Sequence, residues 1–261
     1  MPRKTKLTQP VEVPATLSPL QPLTASTNGY GYGALPGINA PVIRDEAHGE
    51  NWSLFNGDSV EVLPMLPDHS VHLSVFSPPF AALYSYSPSE RDLGNVTSHE
   101  EFFAHHEYIA RELLRVMVPG RVVACHTQEI QLYETRDGRR AKYDFPGDFL
   151  RHMESVGFNY YGRITINKNP QTAAIRNHPV ELLFGTLKRD ASKLNVAPAD
   201  YLLIFHAPGE NPIPIVYPID EDTWIKWAAP VWTEENGSGI YETATLPDAG
   251  SKENDDERHL C

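Results

Sequence analysis

The stretch that decides the fold reads Val71-His72-Leu73-Ser74-Val75-Phe76-Ser77-Pro78-Pro79-Phe80. Its first six residues are mostly apolar, β-branched or aromatic, which predicts a buried strand. The Pro78-Pro79 pair fixes the backbone after that strand, so the carbonyl oxygens there can point outward rather than into a helix. The stretch therefore predicts a strand that ends abruptly in a constrained loop.

Predicted strands and helices alternate along the chain. The strands are 53–56, 71–76, 121–126, 160–166 and 201–205, and the helices are 59–66, 100–116 and 145–157. This alternation is typical of an α/β fold with a mostly parallel, doubly wound sheet.

The chain divides into four segments by composition. Residues 1–50 carry seven prolines and predict an irregular N-terminal tail, and residues 51–166 hold the first α/β elements. Residues 167–200 are polar and basic without clear strand signals, and residues 201–261 form a return strand and then an irregular, acidic segment.

Composition excludes several classes of protein. No run of 18 apolar residues occurs and the N-terminus has no apolar signal region, so neither a membrane span nor secretion is expected. The two cysteines, Cys125 and Cys261, cannot form a disulfide framework, and no Cys/His cluster has zinc-ligand spacing. A reducing cytoplasm and a metal-free site are the expectation.

Charge is unevenly distributed. The formal net charge is -12, yet residues 111–193 hold 14 Lys+Arg against 9 Asp+Glu. Because DNA affinity comes from local neutralisation of phosphates, this basic middle is compatible with DNA binding. An ordinary solvated face is the competing interpretation.

Residues Ser77-Pro78-Pro79-Phe80 are placed where an open α/β sheet binds its ligands, beyond the carboxyl end of a strand. The Ser77 hydroxyl and the Pro78 carbonyl can accept hydrogen bonds from an amino group. Such acceptors free a nitrogen lone pair that is otherwise delocalised into a base, and so permit attack on a methyl sulfonium. Phe80 can stack on a base extruded from the duplex. A tight turn with Phe80 in the core is the alternative.

The wider sequence resembles the amino-DNA methyltransferases of the permuted β group, in phage and bacterial members. The resemblance covers about residues 52–261. Its landmarks are Leu54–Leu63, Leu66-Pro67-Asp68, Val71–Phe80, Asp92-Leu93-Gly94-Asn95, Glu112–Val116, Pro119-Gly120-Arg121, Pro208–Pro212, Pro230-Val231-Trp232 and Asp256–Cys261.

This resemblance implies a Rossmann-like methyltransferase fold that uses S-adenosylmethionine, with Ser77, Pro78, Pro79 and Phe80 as the catalytic loop. It also implies site-specific methylation of cytosine N4 or adenine N6 in double-stranded DNA, with a flipped target base, in the cytoplasm of a bacterial host or phage-infected cell, as in restriction-modification. Serine at the first loop position favours cytosine slightly. Asp58 is placed near the adenosine of the cofactor, or serves as a plain helix cap.

The family's target-recognition segment corresponds to the region around residues 167–200. Candidate DNA contacts there are Arg163, Lys168, Arg176, Lys188 and Arg189. Ordinary surface charge is the alternative for each of them.

One departure from the family pattern concerns the glycine-rich cofactor loop, of the type Asp/Ser-Pro-Phe-x-Gly-x-Gly, which in this family follows the Asp256–Cys261 landmark. The chain contains no such run. The expectation is a fold incomplete at the C-terminus that binds S-adenosylmethionine poorly by itself. The alternatives are a non-catalytic DNA-binding remnant, or one half of a split enzyme whose complementary C-terminal fragment carries the loop.

Cys125 raises the possibility of cytosine-C5 chemistry. That chemistry requires a Pro-Cys loop, whereas Cys125 follows Val122-Val123-Ala124 in a predicted strand. A buried strand cysteine is the favoured interpretation.

Overall fold

The computed structural model describes residues 43–80, 85–170, 182–216 and 218–233. The chain forms two compact units, Met1–Val62 and Leu63–Cys261.

In the first unit, strand β1 (Ile43–His48) pairs antiparallel with β2 (Ser53–Gly57), and helix α1 (Ser59–Val62) follows. The Asp58 carboxylate accepts a hydrogen bond from the Val60 backbone N–H at 2.8 Å, which confirms its role as a helix cap. The prediction of an irregular tail over residues 1–50 is wrong at its end, where residues 43–48 form β1. This strand is almost wholly exposed, so it lacks the alternating apolar signal that reveals a half-buried strand.

Within the described residues, the main elements of the second unit are seven strands and five α-helices. In chain order they are β3 (Val71–Phe76), α2 (His99–Val116), β4 (Met117–Gln128), β5 (Ile130–Leu132), α3 (Glu134–Asp137), β6 (Ala141–Tyr143), α4 (Phe145–Val156), β7 (Asn159–Ile166), α5 (Phe184–Arg189), β8 (Asp200–His206), α6 (Glu221–Trp227) and β9 (Val231–Trp232).

The main sheet has the strand order β3-β4-β8-β7-β9. β3 is parallel to β4, and β9 is parallel to β7, whereas β8 is antiparallel to both β4 and β7. Four strands therefore share one direction and β8 runs against them. The sheet is mixed: four of its five strands run in one direction, in line with the predicted mostly parallel sheet, but the reversal of β8 was not predicted because the composition of a strand does not reveal its direction.

The core lies between one face of this sheet and helices α2 and α4. Buried residues of the sheet and of both helices form one cluster, which includes Phe102, Leu113, Val123, Cys125, Phe145, Phe149, Met153, Leu203 and Phe205. On β3, Leu73 and Val75 are 60% and 66% exposed. Their register partners on β4 are Val122 and Ala124, so they point away from the α2/α4 face. Helices on that second face, as a doubly wound fold requires, stay a prediction.

The segment after β8 contains two elements that the expected irregular C-terminal region did not include, α6 and β9. The Asp220 carboxylate accepts from the Thr223 backbone N–H at 2.8 Å and caps α6. β9 is only two residues long, which is too short to show a periodic pattern in the sequence. It is a strand because it forms backbone hydrogen bonds with β7.

The beginning of β4 also differs from expectation, because Pro119 and Gly120 lie inside the strand. Gly120 has φ +70°, and its N–H donates to the Ala207 carbonyl at 2.9 Å. A Cβ at this position would lie 2.6 Å from the Asn211 backbone nitrogen. The chain around Asn211 thus packs directly on Gly120, where only glycine fits.

Gly120→Ala should therefore destabilise the protein more than Gly138→Ala, its matched control. Gly138 has nearly the same φ, +68°, but a Cβ there meets nothing within 4 Å. We expect a loss of unfolding free energy of about 2–4 kcal/mol at Gly120, from backbone strain plus overpacking, and about 1 kcal/mol at Gly138. Urea denaturation measures both; equal losses would contradict the close packing at Gly120.

His106 is a titratable group buried in the aromatic core. It is 1% exposed and lies against Phe102 and Phe149, with ring centroids 5.7 and 5.0 Å away. Its Nδ1 lies 3.1 Å from His152 Nε2. Burial, with a smaller contribution from charge on His152, lowers the pKa of His106 from 6.5 to about 3. The imidazole is therefore neutral in the folded protein near pH 7.

The depressed pKa of His106 predicts acid sensitivity. Between pH 6.5 and 3 the unfolded chain binds the proton more readily, so stability falls as the pH falls. From pH 7 to pH 5 this group should remove about 2 kcal/mol of unfolding free energy. His106→Leu should shrink the pH dependence by that amount, whereas His105→Leu, at an exposed neighbour, should not. Urea denaturation at pH 7 and pH 5 measures the unfolding free energy of each variant. If His106→Leu keeps the wild-type pH dependence of that free energy, the prediction is contradicted.

Candidate active site

The topology of the sheet brings polar side chains from four strands to one edge. β3, β4 and β7 end at this edge, and β8 begins there because it runs in the opposite direction. The edge is called the site edge below. It carries Ser77 after β3, His126 near the end of β4, Lys168 after β7 and Asp200 at the start of β8.

The Ser77–Phe80 loop follows β3 directly. Ser77 is exposed, Pro78 is buried, and Phe80 is half-buried. The Phe80 ring packs edge-to-face on Phe145, with centroids 5.9 Å apart, and lies 6.1 Å from the His126 ring. The Phe80 ring therefore packs against the core and the residue stays partly accessible, while its stacking on a base remains a prediction.

The loop presents two oxygen atoms that can accept hydrogen bonds. The Ser77 hydroxyl lies 3.2 Å from His126 Nδ1 and 3.2 Å from the His126 carbonyl oxygen. Within the described residues, no N–H or O–H donates to the Pro78 carbonyl. Both oxygens therefore have lone pairs available for a ligand's N–H groups.

A chain of contacts runs inward from Ser77. His126 Nε2 lies 3.0 Å from an oxygen of the Asp200 carboxylate, whose side chain is only 3% exposed. Lys168 forms an ion pair with the other Asp200 oxygen and donates to Gln128 Oε1 at 3.1 Å. A carboxylate this deeply buried requires such compensation, because an unpaired buried charge is strongly unfavourable.

Sequence reasoning did not assign His126 and Asp200 to the site. His126 was predicted only as the last residue of the strand 121–126, and Asp200 only as the last residue of the polar segment 167–200. The signal that could have found them is their position at strand ends. Using it requires knowing that β8 runs antiparallel, with Gln128 opposite Asp200.

The segment after the loop is held by its own side chains. The Asp92 carboxylate accepts from the backbone N–H groups of Tyr86 at 3.0 Å, Ser87 at 2.6 Å and Gly94 at 2.8 Å. Asn95 Nδ2 donates to the Ser87 carbonyl at 2.7 Å. The Asp92-Leu93-Gly94-Asn95 landmark therefore stabilises the loop that returns from the site.

The predicted DNA contacts fall in different places. Arg163 is exposed on β7, with its guanidinium 5.3 Å from the Tyr201 ring centroid. Lys188 and Arg189 are exposed at the end of α5. Lys168 is engaged by Asp200 and Gln128 at the site edge, so the structure gives it a role within the site. Arg176 lies outside the described residues.

Two further candidates are placed by the structure. Asp58 lies in the first unit, and its position beside a cofactor stays a prediction. Cys125 is fully buried in β4, and burial raises the pKa of its thiol well above the usual range. A thiol in that environment is not a nucleophile, in agreement with the structural interpretation of Cys125.

No protein-family model matches the chain, and no curated protein matches it. Among solved structures, the chain is similar to a protein of Thermus thermophilus that carries the provisional name DNA modification methylase. In its complex with S-adenosyl-L-methionine that protein is 20% identical with a TM-score of 0.52, over 68% of this chain and 64% of the other. Its selenomethionine derivative gives 19% identity and a TM-score of 0.50.

A cytosine-N4-specific PvuII DNA methyltransferase also matches, at 20% identity and a TM-score of 0.40 over 58% of this chain and 47% of the other. The present chain spans about two thirds of the length of the Thermus protein. At these identities, the likeness to the Thermus protein shows a shared fold, which in this chain is an α/β fold with a mixed sheet.

Proposed function

We propose that this chain handles the target base in an S-adenosylmethionine-dependent DNA methyltransferase that modifies the exocyclic amino group of cytosine (N4) or adenine (N6). The carrying observation is the Ser77–Phe80 loop at the site edge, with two accepting oxygens and a partly accessible aromatic ring. The shared fold with the Thermus protein, which was solved with S-adenosyl-L-methionine, supports this assignment.

The chemistry of an amino group fits these acceptors. An exocyclic amino group has two N–H donors, and the Ser77 hydroxyl and Pro78 carbonyl provide two acceptors. Accepting both hydrogen bonds shifts the nitrogen toward tetrahedral geometry and localises its lone pair for attack. When bound, S-adenosylmethionine supplies a methyl group on a sulfonium. Phe80 stacks on the base, which must leave the duplex because its amino group is otherwise out of reach.

The described residues account for the part of the site that binds the base better than for the part that binds the cofactor. They provide the acceptors and the stacking ring for the base. Among them, no strand is followed by a glycine-rich turn whose backbone N–H groups could hold the cofactor's carboxylate. The contact of Asp58 with the cofactor's adenosine is proposed from the family resemblance alone.

DNA contact is assigned to the exposed cations Arg163, Lys188 and Arg189. Such side chains neutralise phosphates and orient the duplex without reading its sequence. Double-stranded DNA is the proposed substrate, in the cytoplasm of a bacterium or a phage-infected cell, as part of a restriction-modification system or its phage counterpart. No helix in the described ranges is long and apolar enough to cross a membrane. No observation among these residues favours a complementary fragment or a non-catalytic remnant.

The proposal predicts that Ser77→Ala and Phe80→Ala both lower methyl transfer, Ser77→Ala with little loss of stability and Phe80→Ala with an added loss of stability from its core contacts. The gene product is expressed from its natural reading frame and assayed in single turnover with labelled S-adenosylmethionine and double-stranded DNA. Loss of an acceptor that strengthens in the transition state should cost about 2–4 kcal/mol of barrier. Thermal melting of Ser77→Ala should change little, because Ser77 is exposed.

Ser70→Ala is the matched control, since the Ser70 hydroxyl donates to the Pro67 carbonyl at 2.7 Å, before β3 begins. It should retain activity. Mass analysis of the nucleosides identifies the product, for which we favour N4-methylcytosine; N6-methyladenine alone would overturn that preference. Near-normal transfer by both loop variants would remove the loop from catalysis, and a wild-type protein without transfer to any DNA would contradict the proposed function.

A further inference from the structure

We propose that His126, oriented by Asp200, receives through Ser77 the proton that the base's amino nitrogen loses during methyl transfer. This inference rests on the proposed function and adds to it a path for the proton. It is carried by the contacts at the site edge, where the Ser77 hydroxyl, the His126 ring and the Asp200 carboxylate form a continuous series.

The buried carboxylate fixes which nitrogen of His126 carries hydrogen. Asp200 lies 3.0 Å from Nε2 and can only accept, so Nε2 must donate. In the neutral ring, Nδ1 then has a free lone pair, and this atom lies 3.2 Å from the Ser77 hydroxyl. The Ser77 hydroxyl has one hydrogen, which it can donate either to the His126 carbonyl oxygen, also 3.2 Å away, or to Nδ1; in the second orientation its own lone pairs stay available for the N–H of a base.

The proton transfer balances at each atom. As the new N–C bond forms and the methyl–sulfur bond breaks, the amino nitrogen becomes positively charged and acidic. Its N–H bond breaks with the electron pair kept by nitrogen, and the proton passes to the Ser77 oxygen. The original hydroxyl proton passes to His126 Nδ1. Ser77 ends as a neutral hydroxyl, and His126 becomes an imidazolium that can release the proton to solvent, since its side chain is 32% exposed.

The charged groups around His126 suit this exchange. Asp200, from β8, stabilises the imidazolium that forms. Lys168, after β7, forms an ion pair with the other oxygen of the same carboxylate. Ser77 and Phe80, from the loop after β3, face the ring without charge. The ring therefore lies between a hydroxyl that can deliver a proton and a carboxylate that can stabilise the positive charge.

The order serine, histidine, carboxylate also occurs in serine hydrolases, where the serine is a nucleophile. That chemistry requires N–H donors beside the serine to stabilise an oxyanion. The two residues after Ser77 are Pro78 and Pro79, which have no N–H. A loop that offers acceptors in place of donors favours proton transfer over acyl transfer.

The kinetic test compares His126→Ala with His206→Ala in single-turnover methyl transfer across pH. His206 stacks on Tyr161 at the opposite end of β8. We expect His126→Ala to slow the chemical step about 10²–10⁴-fold, with KM for DNA little changed and the rise in rate from acidic to neutral pH abolished. Added imidazole derivatives should restore the rate of methyl transfer by His126→Ala, and the more basic derivatives should restore it more fully. His206→Ala should behave as wild type.

Nitrogen NMR of His126 provides a readout that does not depend on activity. The Nε2–H tautomer is expected for the neutral ring, and an Nδ1–H tautomer would overturn the proposal. An unchanged pH profile in His126→Ala would also overturn the proposed proton path, as would failure of imidazole to restore the variant's rate. In either case, methyl transfer by the wild-type protein would still support the proposed function. No transfer by wild type would contradict the proposed function itself.

Discussion

The buried carboxylate of Asp200 is the constraint on which the site depends. An anion that is 2% exposed is tolerated only with hydrogen bonds and opposite charge around it. Lys168 supplies the charge and His126 Nε2 supplies a donor. This fixes the orientation of the His126 ring, which in turn places Nδ1 against the Ser77 hydroxyl. The buried charge is thus connected to the exposed Ser77 hydroxyl through the orientation of one histidine ring.

The reversed strand β8 makes that arrangement possible. Its inward residues Leu203 and Phe205 are fully buried in the core. Because it runs antiparallel to β4, its first residue, Asp200, arrives at the edge where β3 and β4 end. The same strand therefore anchors the core and supplies the buried charge, so the site is built on a rigid element of the fold.

The local parts of this structure could be predicted from sequence, and the long-range parts could not. The bounds of β3, the cap at Asp58 and the end of α4 at Gly157 follow from neighbouring residues. The Pro-Pro pair likewise predicted the loop after β3. Strand β1 carried no periodic signal, and the direction of β8 is a property of pairing. The contact between His126 and Asp200 depends on that pairing, so it was missed.

A structure of the protein bound to DNA that contains its target tests the central claim most directly, since that claim is geometric. The account predicts an extruded base whose amino nitrogen lies about 3 Å from both the Ser77 hydroxyl and the Pro78 carbonyl oxygen. It also predicts Phe80 against the face of the base, with His126 Nδ1 still in contact with Ser77. A base that stays in the duplex, or whose amino group faces away from Ser77, would contradict it.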